Sequence, residues 1–521
     1  MSGGRAIGIM TALNGVSAVV GIAQTVMIAY FFGTSRTVEI FFAATAIQTS
    51  IIGLAQLGQL SDILLPQHHR LKHSLGQEQA FSAFAVMVNW MALLSLLAAA
   101  AMWFLAPALM QLRVPGFSPE DLALGAAVFR WIVPLLCLQI IIALLTTLAN
   151  AEKWFGVPEA VQIGARVVGL ACLAALATRW GIWALVVALI LNTATAFIAL
   201  GCVVWKLGYR HRFRLRHDHF HPLRVFRQLA VTFSFVGAVQ LYAFAFDAAL
   251  SMLPQGTLAV FKYVQSLSAK AWSSLMRPVG VVFFSYFSIA FAKGAADLAA
   301  LARTALAQTM AIWAIAFVLV ATSSQYLLAA LWGPRHFGID ELELAALLLT
   351  LLYAVGFLGG FSLITRKIGA TLGMVQSLYV AGAASHVLSA LFAWVVIPRY
   401  GVAGALATVV VVSIVNNLVY GLPLLLAQRT YLFWYDWRLT ARWMLAIAIA
   451  CGAGLGIAGS VPLTWTESRI EALVAGGLLA AFSVTVLLLG AYLMRIGEVV
   501  ALAGFLYRMG ARWGRGTISS G

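Results

Sequence analysis

Charge is what this chain has least of. Only 10% of its 521 residues are Asp, Glu, Lys or Arg, whereas 62% are hydrophobic. A soluble core of that size needs a polar shell, and 33 basic with 17 acidic side chains cannot make one. Cysteine is scarce as well. Cys137, Cys172, Cys202 and Cys451 all lie in apolar segments and show no paired short spacing, which excludes a disulfide framework or a thiolate metal cluster and leaves them as packing residues. No Gly-rich loop ending in Gly-Lys-Ser/Thr occurs, so the chain does not hydrolyse ATP itself, and no cofactor is expected.

Apolar runs of about twenty residues, each long enough to cross a bilayer, recur from end to end. Fourteen spans can be placed, at roughly 7–32, 38–64, 81–111, 122–149, 158–178, 181–207, 229–252, 258–290, 304–332, 342–365, 369–397, 401–427, 440–461 and 470–494. The first run is too long for a cleaved signal and has no small-residue cleavage site behind a short apolar region, so it reads as a span that stays attached. The expected fold class is therefore all-α, a polytopic membrane protein with about 14 transmembrane helices.

In a soluble protein a net charge of +16 would point to nucleic acid. Here the cations sort by side instead, which argues against such a partner. One set of connections holds Arg70, Lys72, Lys153, the cluster from Lys206 to Arg227, Arg366, Lys367 and the last arginines. The opposite set holds only Arg36, Arg113, Arg179, Arg335, Arg399 and Arg469. The positive-inside rule then puts both termini in the cytoplasm.

An internal repeat divides the chain. "RWGIWALVVALILNTATAFIALG" from Arg179 and "RYGVAGALATVVVVSIVNNLVYG" from Arg399 each enter a span through Arg-aromatic-Gly, and "GVPEAVQIGARVVG" and "GATLGMVQSLYVAG" precede them. Six spans separate the copies, so the halves share one orientation, related by an axis along the membrane normal, with a cavity expected between them. The most polar connection, "KLGYRHRFRLRHDHFHPLRVFRQ", falls at the seam. The expected organisation is a six-helix lobe over 1–210, a basic cytoplasmic linker over 211–228, a second pseudo-symmetric six-helix lobe over 229–430, a helix pair over 431–500 and a basic tail over 501–521 that is disordered or lies on anionic lipid.

Two motifs have bland explanations. "HDHFH" at 217–221 crowds imidazoles and a carboxylate as a metal site would, but no second ligand cluster completes a tetrahedron, and a solvated basic loop accounts for it. "GLGIAG" at 454–459 spells a dinucleotide fingerprint, but it lies inside a span with no strand before it, so it reads as close helix packing.

Five cations fall within spans: Arg130, Arg166, Lys262, Lys270 and Arg277. Each would cost about 2.5–3.5 kcal/mol facing lipid at a helix centre, so they must meet water, an anion or a carboxylate. Lys262 lies close enough to a helix end to snorkel. Lys270 and Arg277 are seven residues apart and share a helix face. The intramembrane acids are few, namely Asp247, with Asp62 and Glu39 near the ends of the second span. Cations remain in excess, which suits an anionic substrate such as a phosphate or pyrophosphate held by charge-assisted bonds. Structural pairing within the bundle is the competing explanation.

"GVSAVVGIAQTVMIAYFFGTSRTVEIFFAATAIQTSIIGLAQLGQLSDILLPQHHRLK" (15–72), with Phe32-Gly33, the run from Glu39 to Ala43 where Asp is usual, and Pro66, resembles the first two helices of the MurJ/MviN lipid II flippases. These are a branch of the multidrug/oligosaccharidyl-lipid/polysaccharide (MOP) exporter superfamily. "YVQSLSAKAWSSLMRPVGVVFFSYFSIAFAKG" resembles their helix 8, and fourteen helices is the family's usual number. The resemblance implies a bacterial inner-membrane flippase. Its substrate would be a polyprenyl-pyrophosphate-linked saccharide moved by alternating access, its surroundings membrane lipids, its coupling ion Na+ or H+, and the last two helices a groove for the lipid tail. The chain departs from the family where helix-1 and helix-2 arginines are usual and "SAVVGIAQT" and "TSIIGLAQ" stand instead. The usual helix-8 Arg aligns with Ser266, and Lys270 follows one turn later. That leaves lipid II and an exopolysaccharide or O-antigen repeat unit both open. The residues expected to bind substrate are Lys270, Arg277, Lys262, Ser266, Arg130, Arg166 and Glu39. Those expected to couple an ion are Asp247, His386, Ser385 and Ser389. Two other classes stand beside this reading: a cation-coupled drug antiporter, which would need acids in its cavity, and a membrane saccharide polymerase or ligase, which would need larger outer loops than these.

Overall fold

A computed structural model describes residues 3–56, 59–154, 156–333, 337–427, 436–460, 469–497 and 499–500. They fall into two compact units, Met1–Ser274 with Tyr379–Thr408, and Leu275–Leu378 with Val409–Gly521. The basic tail at 501–521 lies outside the described residues.

The first unit opens with α1 (Gly3–Phe32), α2 (Arg36–Gln56), α3 (Gln59–Leu75), α4 (Gln77–Phe104) and the short α5 (Ala106–Arg113). It continues with α6 (Pro119–Ile132), α7 (Leu135–Ala151), α8 (Val157–Trp180), α9 (Ile182–Lys206), α10 (Pro222–Leu250) and the first half of α11 (Thr257–Lys293). The second half of α11 leads the other unit, with α12 (Ala295–Trp332), α13 (Ile339–Ala354), α14 (Gly356–Thr371), α16 (Trp437–Ser460) and α17 (Arg469–Leu493). Between them in sequence runs α15 (Val375–Ala427).

Eleven segments among the described residues are long and apolar enough to cross a membrane, and exposed leucines such as Leu96 and Leu97 on α4 suit contact with lipid. This is a multi-pass all-α membrane protein. Several expected spans are broken helices. The span at 81–111 splits at Leu105 into α4 and α5, where Pro107 follows in the first turn. The span at 122–149 splits into α6 and α7 at Val133-Pro134. α6 begins under a full cap: Ser118 accepts from the Asp121 N–H at 3.2 Å, Pro119 stands in the first turn, and Glu120 and Asp121 face the positive helix end.

The repeat is written into the backbone. Gly181, between α8 and α9, has φ 53° and ψ −129°, and Gly401, inside α15, has φ 60° and ψ −138°. Both are the left-handed conformation of the first central residue of a type II′ turn, closed to L-residues without strain. No atom lies within 4 Å of where a Cβ would stand at either position, so glycine is required there by conformation and not by space. Arg-aromatic-Gly is thus the sequence of a tight helix reversal, used twice.

In the first unit α1 packs on α8, α8 on α9, α2 on α6, and α3 on α4. In the second, α12 is central, against α13, α14, α16 and α17. Gly454 of α16 explains part of "GLGIAG": a Cβ there would fall 2.6 Å from Thr322 of α12 and 2.3 Å from Ser483 of α17. Close packing uses that glycine, whereas Gly456 and Gly459 have open space.

The linker is not merely solvated. Asn89 of α4 donates to the Arg212 and Arg214 carbonyls at 3.1 and 2.8 Å, and the Trp90 indole donates to the Leu215 carbonyl at 3.0 Å. Its backbone acceptors are taken by α4, so the arginines turn outward, and Arg212 meets Glu78 at 3.3 Å.

Candidate functional site

One face of α1 carries Ser17, Gly21 and Thr25 at successive turns, a polar and small row on an otherwise apolar helix. Two intramembrane cations come down on it. Lys270 of α11 donates to the Gly21 carbonyl at 2.6 Å and to Thr25 Oγ1 at 2.7 Å. Its chain lies so close that a Cβ on Gly21 would come within 3.2 Å of the lysine Cδ and Cε. Arg166 of α8 donates through Nη1 to Ser17 Oγ at 2.9 Å. Ser266, on the same helix as Lys270, touches Thr25 Oγ1 at 3.3 Å. Lys270 therefore delivers its ammonium to the same hydroxyl that Ser266 reaches.

The α1 acceptors in these contacts are neutral oxygens. The two cations bond to the same α1 face one turn apart, Arg166 at Ser17 and Lys270 at Gly21 and Thr25. Arg166 also borders a cavity of about 40 Å³ with Gln24 and Asn192, which has room for a few waters.

Asp247 of α10, 3% exposed, sits elsewhere and is claimed twice. Its Oδ2 accepts from Arg113, the last residue of α5, and from Lys262 of α11 at 2.5 Å. Arg113 is 1% exposed, has the Phe244 ring 4.7 Å from its Cζ, and leaves Nε and Nη1 buried without a hydrogen-bond partner. Two cations on one carboxylate leave a net positive charge, the reverse of what a bound cation needs. The neighbours expected for Asp247 make other bonds. His386 Nδ1 donates to the Gly382 carbonyl at 2.7 Å and its ring packs against Phe235 and Tyr242, while Ser389 donates to the Ser385 carbonyl at 2.8 Å.

Glu39, 1% exposed, binds Arg36 at 2.7 Å, and its Oε1 accepts from the Gly256 and Ala259 N–H groups at 2.9 and 3.3 Å. It caps the start of α11 from another helix, where a carboxylate meets unsatisfied N–H groups and the positive helix end. Tyr263 adds a bond to the Gly33 carbonyl at 2.9 Å. Arg130 lies over Trp103 of α4, 5.2 Å from its ring centre. The side chains of Arg277 and Asp62 lie outside the described residues. Among the described residues, those of "HDHFH" included, no group of three His, Cys, Asp or Glu side chains is gathered as a metal site would be.

Sequence reading missed Arg113, which sat in an outer connection until the break at Leu105 turned α5 inward. It also missed Ser17 and Thr25, for which the four-residue spacing through Gly21 was the available signal.

The sequence model of the family described as "Lipid II flippase MurJ" matches residues 28–475. No curated protein matches the chain. Among solved structures, "Lipid II flippase MurJ, inward closed conformation" is similar with a TM-score of 0.74 at 13% identity, covering 94% of this chain and 99% of that one. An inward-facing multidrug resistance MATE family transporter of the MOP superfamily follows at 0.61 and 15%, covering 79% of this chain and 94% of that one. A MOP superfamily transporter from Pyrococcus furiosus gives 0.51 and 12%, covering 80% and 92%. At these identities the structures speak for the fold, a transporter fold with α1, α8 and the start of α11 around the paired cations. The match across most of its length assigns the chain to the MurJ lipid II flippase family.

Proposed function

We propose that this protein is a flippase that carries a polyprenyl-pyrophosphate-linked saccharide across the bacterial inner membrane by alternating access, with Lys270 and Arg166 as the cations that meet the pyrophosphate. The observation that carries this reading is the pair itself: Lys270 and Arg166 lie along one face of α1 on neutral oxygens of Gly21, Thr25 and Ser17. Arg and Lys bind phosphoryl oxygens by charge-assisted bonds. Family membership supports a lipid-linked substrate. The cargo is lipid II or an exopolysaccharide or O-antigen repeat unit, since one cation, Arg166, comes from α8 and the other, Lys270, stands one turn along α11 from Ser266.

The geometry favours an anionic cargo over the cation of a drug antiporter. Among the described residues of the first unit, the buried acids Glu39 and Asp247 are held by Arg36, Arg113 and Lys262. Asp247 is thereby proposed as a fixed ion-pair centre in place of the coupling site. The membrane potential can drive the cycle, at about 2.3 kcal/mol per charge per 100 mV.

The test is transport by purified protein in liposomes holding a fluorescent polyprenyl-pyrophosphate saccharide. Lys270→Ala and Arg166→Ala are each expected to slow flipping at least about tenfold with protein level unchanged. Normal flipping by both variants would return the two cations to a structural role.

A further inference from the structure

A second basic site lies apart from the α1 row. α3 turns Gln67, Arg70, Leu71 and Ser74 to one side, at the spacing of a single helix face. Facing them is the turn His217–Phe220 of the linker, with His219 and His221 at its rim, and between the two lies a cleft of about 430 Å³. That volume is enough for a phosphorylated headgroup or a small phosphorylated metabolite.

The turn is built, not loose. His217 and Phe220 form an isolated antiparallel bridge, and Phe220 is 7% exposed, a buried anchor. His217 Nδ1 accepts from the His219 N–H at 3.2 Å, so its proton sits on Nε2, which donates to Gln79 Oε1 at 3.3 Å. Burial holds this imidazole below its ordinary value, helped by the charges of His219 and Arg214 against that of Asp218. His217 is therefore a neutral strut, and what it fixes is the direction of the residues after it. Arg70 lines the cleft, and Ser74 Oγ donates to its carbonyl at 2.9 Å. The donors lining the cleft are a guanidinium, two imidazoles and a carboxamide, against one carboxylate, Asp218. That set matches the oxygens of a phosphoryl group in charge and in hydrogen-bonding sense.

We propose that this cleft binds a phosphoryl anion, on the face of the membrane that carries the basic connections. The ligand is either the phosphate of a lipid headgroup or a soluble phosphate compound. This goes beyond the flippase reading and stands without it, because Arg70, His219 and His221 take no part in the α1 row.

The test uses the full chain in nanodiscs. Inorganic pyrophosphate binding is measured by titration calorimetry in phosphatidylcholine discs, and phosphatidic acid retention is measured by native mass spectrometry. Arg70→Gln and the double variant His219→Gln/His221→Gln are compared with Lys153→Gln, an exposed cation on the same basic side, and with Lys270→Ala. The expected result is a loss of at least about tenfold in one ligand with both cleft variants, while Lys153→Gln binds normally. Loss of pyrophosphate binding alone identifies a soluble phosphate site, and loss of phosphatidic acid alone identifies a headgroup site. If Arg70→Gln and the double histidine variant bind both ligands as the wild type does, the proposal is overturned. It is overturned equally if Lys153→Gln loses as much, which would mean a diffuse surface field, or if only Lys270→Ala loses binding. Unchanged thermal unfolding of the cleft variants, all at exposed positions, separates lost binding from lost fold.

Discussion

At the residue scale, the buried charges differ in what they can tolerate. Asp247 holds two cations in a region nearly closed to solvent, so its removal leaves both uncompensated, and breaking a buried pair in this way costs about 3–5 kcal/mol. Asp247→Asn should lower the unfolding temperature markedly, and adding Lys262→Met should restore part of it. A variant as stable as the wild type would mean that Arg113 and Lys262 are neutralised by something other than Asp247. His68 gives a second case. It is 4% exposed, burial pushes its imidazole below the ordinary 6.5, and the Glu152 hydrogen bond at 3.0 Å only partly offsets this. Its Nδ1 is buried without a partner, so a proton there would be an unsatisfied donor. Burial raises the Glu152 carboxyl, but the hydrogen bonds of Lys72 and His68 outweigh burial and leave it below the ordinary 4.5. Both groups bind more protons unfolded than folded, so their stabilisation is complete above the ordinary histidine value and falls as pH drops through each lowered one. Thermal unfolding followed from about pH 7.5 to about pH 5 should show falling stability, and His68→Gln should flatten the upper part of that curve. A curve of the same shape for both proteins would contradict the assignment.

At the element scale, the two helix reversals make a controlled comparison. Gly181→Ala and Gly401→Ala place a Cβ in open space but in a backbone conformation that L-residues avoid, so each should destabilise by about 1–3 kcal/mol. Gly164→Ala, in the interior of α8 with equally open space and no positive φ, should be neutral or stabilising by about 0.5–1 kcal/mol. Equal effects at all three positions in thermal unfolding would show that conformation is not what selects glycine. These reversals were legible in the sequence because Arg-aromatic-Gly appears twice in the same hydropathic setting. The breaks inside spans were less so: Pro107 and Pro134 were visible, yet a long apolar run reads as one helix whether or not it bends. Glu39 shows the limit most clearly. Its type and position were plain, but its work is to cap α11, more than two hundred residues away in sequence, and a cap supplied across the fold leaves no local signature.

For the whole molecule, composition and the side-to-side sorting of cations settled the class, because a bilayer tolerates few arrangements of so apolar a chain. The site was only half legible. That Lys270 and Arg166 must face something other than lipid followed from the energy of burying them, but that they meet on α1, and that Lys262 instead joins Arg113 on Asp247, depends on which helices touch. The central claim is that Lys270 and Arg166 together hold a pyrophosphate. Its most direct measurement is the dissociation constant of the purified protein for a polyprenyl pyrophosphate and for the corresponding monophosphate, in wild type and in the variants Lys270→Ala and Arg166→Ala. Tighter binding of the pyrophosphate by about tenfold or more in the wild type, reduced toward equality in each variant, is the predicted result. Equal affinity for the two lipids in the wild type, or a preference that survives both substitutions, would contradict it.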